Sequence, residues 1–217
     1  MRMYDPPRAL TRTSIGHGAR TLAARDADLA RLLHRGGEPP VWGRRPGFAT
    51  LVRIILEQQV SLKAAATMYQ RLFHHLGGMT PMGVGAVGVA GLRRLGLTRQ
   101  KAAYCHGLAE RLLDGALDLA AVASAPDIEG RAALLKVPGL GPWSVDIYYL
   151  MALRRPDIWP QGDLALAVAL HEVKRLTRRP TREEQEAFAR RWAPWRSVAA
   201  RLLWQHYLAT RRRPPAA

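Results

Sequence analysis

Cysteine is nearly absent from this sequence, with Cys105 the one cysteine among 217 residues. A single cysteine excludes an intramolecular disulfide, a four-cysteine zinc site and a cysteine-ligated iron–sulfur cluster within the chain. We therefore expect Cys105 to be a small buried residue and the protein to reside in the reducing cytoplasm. Long apolar runs are also missing. The longest, residues 164–170, is far shorter than the about 20 residues of a membrane helix, and no signal-peptide core begins the chain, so we expect no membrane partner.

Acidic residues and lysine are both scarce. The chain has 17 acidic against 33 basic residues, a net charge of +16, and its pI is about 11.3. Nearly all of the positive excess is arginine, whose planar guanidinium matches phosphate geometry. This balance predicts a polyanionic partner. The lysines are Lys63, Lys101, Lys136 and Lys174.

The hydrophobic pattern contains no strand-like alternation and follows the helical period instead. Phe48, Leu51, Val52 and Ile55, for example, lie on one helical face. We predict an all-α protein of about ten helices without an internal repeat. Residues 1–20 mix proline, arginine and glycine and are predicted to be a mobile basic arm, and residues 79–91 a loose connection or a poor helix. Predicted helix starts are Asp26, Ser61, Thr98, Asp163 and the capping box Thr181 with Glu184.

A glycine-rich turn lies between two predicted helices at residues 137–145. Gly139 and Gly141 flank the apolar Leu140, so the backbone can turn tightly and leave amides uncovered at the start of the second helix. Such amides bind a phosphate without reading any base. Taken alone, this tetrapeptide favours an ordinary corner between two helices.

Asp163 comes directly before the apolar helix that starts at Leu164. This position predicts a helix N-cap, and the residue alone favours that structural role.

Three segments together resemble the helix-hairpin-helix DNA glycosylases, and within them the bacterial DNA-3-methyladenine glycosylase II group. They are residues 55–61 (ILEQQVS), residues 137–145 (VPGLGPWSV) with Gly162 and Asp163, and residues 193–199 (APWRSVA) with Leu203 and Trp204. The resemblance extends over residues 22–210. It implies two helical subdomains flanking a DNA-binding cleft: a terminal one from residues 21–50 and 157–212, and a middle one from residues 51–156 that contains the helix-hairpin-helix at about 131–153.

The resemblance also implies roles for individual residues. Asp163 would be catalytic, because its carboxylate would stabilise the positive charge that develops at C1′ when a base–sugar bond breaks, and this role is compatible with that of an N-cap. Gln59 would fill the gap left by a flipped nucleotide. The base pocket would use Trp143, Trp195, Ile147 and Tyr148, with Ile147 standing where the best-known members have tyrosine. Phosphates would be held by Pro138, Gly139, Gly141 and Ser144, and a structural sodium or potassium ion by the carbonyls of Leu135, Val137 and Leu140. Core packing is the alternative for each of these aromatic residues, and the favoured one for Tyr149, Trp192 and Trp204.

The expected function is hydrolytic removal of alkylated bases of the 3-methyladenine type from double-stranded DNA, by a monomer that requires no cofactor. Trp143 occupies the position where bifunctional relatives carry an amine nucleophile, so no lyase activity is expected. Longer members of the group begin with a mixed α/β domain, whereas about 20 residues precede the first predicted helix here, so substrate breadth does not carry over. The alternatives are a non-catalytic helix-hairpin-helix DNA-binding protein and a glycosylase for deaminated or oxidised bases.

Overall fold

A computed structural model describes residues 7–211, and the regular structure of these residues is entirely helical. They form twelve α-helices and one π-helix, with no β-strand among them, which confirms the all-α prediction. The α-helices are α1 (Arg12–Ala23), α2 (Ala27–Gly36), α3 (Phe48–Glu57), α4 (Leu62–Leu76), α5 (Pro81–Arg94), α6 (Arg99–Leu113), α7 (Leu119–Ser124), α8 (Asp127–Leu135), α9 (Pro142–Ile147), α10 (Leu164–Val173), α11 (Arg182–Arg190) and α12 (Arg196–Arg211), and the π-helix is Tyr148–Ala152.

Side-chain oxygens cap the first turns of most helices. The N-caps predicted at Asp26, Ser61, Thr98 and Asp163 each accept a hydrogen bond from a backbone amide of their helix. Thr181 forms the predicted reciprocal capping box with the residue at the third helical position. Because each such cap stabilises its helix by about 1 kcal/mol, the polar residues between apolar stretches set where the helices begin.

The first helix is the main departure from the sequence prediction. Residues 12–20, predicted to belong to a mobile arm, lie in α1, which buries Ile15, Ala19 and Leu22. Their spacing of four and three residues places these side chains on one helical face, and this face outweighs the low helix propensity of the two glycines in the segment. Leu10 before the helix is fully buried, and its amide donates to the Arg154 carbonyl at 2.7 Å. Residues 1–6 of the predicted arm lie outside the described residues.

Two further segments differ from the expected pattern. Residues 79–91 contribute to α5, which is interrupted at Gly88, where φ is 66°. The short helix α7 was not predicted and is capped by Asp118, whose carboxylate accepts from two backbone amides. Six residues are too few to show a helical period, so the cap was the one available signal.

The described chain divides into two compact units. The first takes residues 7–43 and 149–211, and the second takes residues 44–148. The predicted subdomain boundaries at residues 50 and 156 lie several residues away from these, and the π-helix adjoins the second boundary between the units. The predicted hairpin segment at 131–153 contributes to both units.

The core of the first unit is built around α12, which packs against α1, α2, α10 and α11. Its buried face includes Ala199 and Leu203 and also the fully buried Arg201. The Arg201 guanidinium donates to the carbonyls of Val41, Ser197 and Leu150 at 3.0, 3.1 and 2.8 Å. Burial lowers the pKa of Arg201 to about 9, which still leaves it charged at neutral pH, and these carbonyls supply the hydrogen bonds that a buried charge requires.

The second unit is centred on α3, which contacts α4, α6 and α9. Leu51 and Ile55 of α3 are fully buried, as are Cys105 and Leu108 of α6. Cys105 is buried as predicted, and this burial raises the pKa of its thiol to about 12, which makes it unreactive at neutral pH. Within residues 7–211, no helix is long and apolar enough to span a membrane.

Candidate functional site

The carboxylate of Asp163 is held at the start of α10 in the first unit. Its Oδ1 atom accepts from the Leu166 amide at 2.9 Å and from the indole Nε1 of Trp204 at 3.2 Å. The residue is 8% exposed. The predicted N-cap is therefore present, and a second donor from α12 fixes the same oxygen. Two donors on one oxygen restrict how the carboxylate can rotate.

Trp204 was expected to be a packing residue, and its role as a hydrogen-bond donor to Asp163 was missed. Its side chain is largely buried, at 8% exposure. A buried indole N–H almost always requires an acceptor, which is the signal that the sequence offered. The identity of that acceptor was not accessible, because the two residues are 41 positions apart and meet only through the packing of α10 against α12.

Trp195 lies in the core of the first unit, packed on α1. Its exposure is 1%, and its ring centroid lies 5.7 Å from that of His17. A Cβ atom added at Gly18 would come within 2.6 Å of the Trp195 Cε3 atom, so this glycine permits the close approach. Trp195 is thus placed in the core of the first unit, and its assignment to a base pocket stays a prediction.

The glycine-rich turn of the second unit joins α8 to α9 as predicted. Gly139 has a φ of 91°, and a Cβ atom there would lie 2.4 Å from Cγ of Tyr104, so both the backbone and the neighbouring ring require glycine. Leu140 is 2% exposed and anchors the turn in the core. Pro138 and Gly141 are exposed, and Gly141 is the N-cap of α9. The backbone around Gly141 thus lies at the surface at a helix start, the arrangement that an anion cradle needs.

Ser144, a predicted phosphate ligand, lies beneath the surface of the turn. It is 2% exposed, and its Oγ accepts from Nε2 of Gln58 at 2.8 Å. The same Gln58 nitrogen donates to the Gly139 carbonyl, also at 2.8 Å. Ser144 therefore faces inward and, together with Gln58, ties the hairpin to the end of α3.

Lys101 of α6 also holds the C-terminal end of α3 in place. Its ammonium donates to the backbone carbonyls of Leu56 at 2.7 Å and Gln58 at 2.9 Å. A cation at the C-terminus of a helix satisfies carbonyls that the helix leaves unpaired. Desolvation lowers the pKa of Lys101 from its ordinary value. Neither Gln58 nor Lys101 was predicted as a site residue.

Gln59 follows this fixed segment and is exposed. Its φ of 57° lies in the left-handed region, which costs a non-glycine residue about 1–2 kcal/mol. Such strain persists only where the surroundings enforce it, and here Gln58 and Lys101 do so. The side chain at the predicted wedge position therefore lies at the surface on a rigidly held turn.

The remaining predicted pocket residues belong to α9 and the π-helix. Trp143 is half-buried, whereas Ile147 is 4% exposed and Tyr148 fully buried. The Tyr148 hydroxyl accepts from the Gly47 amide at 3.0 Å, and burial raises its pKa. Of the four residues predicted to line the pocket, Trp143 alone keeps substantial exposed surface, and the pocket roles of the buried Ile147 and Tyr148 stay predictions.

The backbone carbonyls of Leu135, Val137 and Leu140 are the predicted cation ligands. Val137 already accepts from the Leu140 amide at 3.0 Å, which leaves its second lone pair available. Within residues 7–211, no group of acidic, histidine or cysteine side chains could hold a metal ion. A set of uncharged carbonyl oxygens suits a hard cation such as sodium or potassium, so these residues fit the expected ion and do not fit a transition metal.

Comparison with known proteins places these features in a family. Residues 52–194 match the model of the HhH-GPD superfamily base excision DNA repair protein. DNA-3-methyladenine glycosylase 2 of Escherichia coli is 27% identical over 177 residues, which cover 74% of this chain and 59% of that protein. The chain also spans 58% of the YfjP protein of Bacillus subtilis, so it corresponds to little more than half the length of these curated relatives.

Solved structures show the same architecture. A DNA-3-methyladenine glycosidase from Bacillus halodurans superposes with a TM-score of 0.75 and 26% identity, covering 88% of both chains. The Schizosaccharomyces pombe 3-methyladenine DNA glycosylase Mag1, solved in complex with abasic DNA, gives a TM-score of 0.76 at 23% identity and covers 87% of this chain and 95% of its own. With a family match over most of its length, the chain belongs to the HhH-GPD superfamily of base excision DNA repair proteins.

Proposed function

We propose that this protein is a monofunctional DNA glycosylase that hydrolyses the N-glycosidic bond of alkylated bases in double-stranded DNA. The observation that carries the proposal is the Asp163 carboxylate, oriented by the Leu166 amide and the Trp204 indole. The names of the Escherichia coli and Bacillus halodurans relatives support 3-methyladenine as a substrate.

The reaction requires stabilisation of positive charge on the sugar. As the bond between C1′ and the base nitrogen breaks, the electron pair leaves with the base and C1′ gains oxocarbenium character. The fixed carboxylate stabilises this charge and orients a water molecule, whose oxygen bonds to C1′ while its proton passes to the carboxylate or to solvent. An alkylated base is already cationic and leaves as a neutral molecule, so no general acid is needed.

The remaining residues would hold and present the DNA. Amides around Gly139 and Gly141 bind phosphates, and Gln59 fills the space that the extruded nucleotide leaves. Trp143 attracts the cationic base through its ring. A sodium or potassium ion bound by the carbonyls of Leu135, Val137 and Leu140 would stabilise the hairpin electrostatically.

In the proposed reaction the N-glycosidic bond is hydrolysed and the DNA strand is not cleaved. A lyase needs an amine nucleophile that forms a Schiff base with the sugar. The helix α9 contains no lysine, and Trp143 stands at the position expected for that amine. The activity therefore ends at a free base and an intact abasic site.

The test compares the wild-type protein with Asp163→Asn on methylated duplex DNA. Wild type should release 3-methyladenine, detected by chromatography, and leave abasic sites that break only after alkali. Asp163→Asn should retain DNA binding and lose at least about a hundredfold in single-turnover rate, the size of effect seen when a group that stabilises a transition-state charge is removed.

Three outcomes would contradict parts of this assignment. Equal release by both proteins would remove Asp163 from the mechanism. Trapping of a protein–DNA adduct by borohydride would show a lyase. Tight binding without release, also from DNA carrying deaminated or oxidised bases, would indicate a non-catalytic DNA-binding protein.

A further inference from the structure

The longest acid-free stretch of the sequence covers residues 58–109 of the second unit. These 52 residues include α4, α5 and most of α6 and contain no aspartate or glutamate, but six lysines and arginines. The surface that they form is therefore positively charged without internal neutralisation. A charge distribution of this kind attracts a polyanion.

A groove of about 390 Å³ lies in this region, between α4 and the connection from α5 to α6. Lys63 and Arg71 contribute cations to its lining, and Ser61 and Thr67 contribute hydroxyl groups. Gly96 faces Arg71 from the opposite side, and a Cβ atom there would lie 2.8 Å from Nη1 of Arg71. Glycine at this position thus leaves room for the guanidinium in the groove.

Both cations of the groove are available for a ligand. Lys63 and Arg71 are exposed, and neither forms an ion pair with a carboxylate within residues 7–211. In the same unit, by contrast, Arg44 and Arg53 are both paired with Glu57. These two cations and the hydroxyl of Ser61 are a suitable set for phosphate oxygens, whereas the Thr67 hydroxyl donates to the Lys63 carbonyl at 3.1 Å.

The position of the groove along the chain indicates which phosphates it meets. Its first residue, Ser61, follows the exposed Gln59 by two positions, and the groove extends to Arg71 along α4. At 1.5 Å per residue this is a length of about 15 Å, or about four base steps at 3.4 Å each. Because the proposed function puts Gln59 in the gap of the duplex, the phosphates nearest to this groove are those next to the gap.

We infer that the groove lined by Lys63 and Arg71 binds two backbone phosphates of the DNA duplex on one side of the damaged nucleotide. This inference rests on the proposed function for the DNA and extends it with a second phosphate site, separate from the hairpin. Phosphate contacts fix the register of a protein on DNA without reading sequence. The groove thereby holds the flank of the lesion while Gln59 occupies the gap.

Salt dependence of DNA binding tests the inference. The affinity of the full chain for a duplex with a tetrahydrofuran abasic analogue is measured by fluorescence anisotropy over a sodium chloride series. Lys63→Gln and Arg71→Gln should each lower the slope of log K against log salt by about 0.9, and the double variant by about 1.8, because each removes one phosphate contact. Both residues are exposed, so thermal melting should be unchanged.

Arg190→Gln is the matched control, since it removes from α11 of the first unit one exposed charge that forms no ion pair within residues 7–211. It should leave the slope at the wild-type value. Wild-type slopes for both groove variants, or an equal decrease for Arg190→Gln, would overturn the inference. Normal base excision with unchanged slopes would reject phosphate binding by the groove and leave the proposed activity intact. Strong salt-dependent binding without excision of any base would reject the proposed activity and leave the groove inference intact.

Discussion

At the scale of single residues, two indole N–H groups of the first unit donate to carboxylates in different settings. Trp204 donates to Asp163 at 3.2 Å, and Trp192 donates to Asp26 at 2.9 Å. Asp26 also accepts from Lys174 at 2.7 Å. Although burial acts to raise the pKa of Asp26, the hydrogen bonds from Lys174 and Trp192 bring it below its ordinary value. The pair of Trp192 and Asp26 therefore belongs to an ion-pair cluster that stabilises the fold.

The two tryptophan–aspartate hydrogen bonds allow a prediction for catalysis in which one pair serves as the control for the other. Trp204→Phe keeps an aromatic ring and removes one donor from the Asp163 carboxylate. A hydrogen bond to a charged group is worth about 1.5 kcal/mol, so we expect about a tenfold lower single-turnover excision rate. Trp192→Phe should lower stability and leave that rate unchanged. A wild-type rate for Trp204→Phe, or the same loss for Trp192→Phe, would remove the orienting role of Trp204.

At the scale of elements, the helix starts at Asp26, Ser61, Thr98, Asp163 and Thr181 could be predicted from their caps, and the contacts between helices could not. Caps are local, because an oxygen and the amide that it accepts from lie within three residues of each other. Gln58 and the Gly139 carbonyl are 81 positions apart, and Lys101 and Leu56 are 45 apart. Polar residues of these types are common in loops and helices, so their pattern in the sequence did not indicate these partners.

The hairpin gives a prediction at this scale, because its two glycines are required to different degrees. Gly139→Ala would place a methyl group against Tyr104 at a positive φ, for which we expect a loss of about 2 kcal/mol and a decrease of about 5 °C in apparent Tm. Gly141 has a φ of −76° and nothing within 4 Å of an added Cβ atom. Gly141→Ala should therefore melt like wild type in calorimetry. An equal apparent Tm for the two variants would show that the Tyr104 ring can move aside without a loss of stability.

At the scale of the whole molecule, the main feature is the high positive net charge. The net charge of +16 makes like charges repel within the folded protein, and arginine rather than lysine provides most of it. Composition alone was sufficient to predict a polyanionic partner. Which basic residues face that partner was not predictable, because it depends on which of them the fold pairs with carboxylates, as it does Lys174 with Asp26 and Asp28.

The same charge predicts that salt acts on folding and on DNA binding in opposite directions. Sodium chloride screens the internal repulsion, so raising it from about 20 to about 200 mM should stabilise the free protein by about 1 kcal/mol and raise its apparent Tm by about 2–4 °C. Over the same range the affinity for duplex DNA should fall by orders of magnitude, because phosphate contacts release counterions. Calorimetry and anisotropy on one set of samples check both trends. If the apparent Tm instead fell with salt, attractive ion pairs such as Lys174 with Asp26 would outweigh the repulsion of the unpaired arginines.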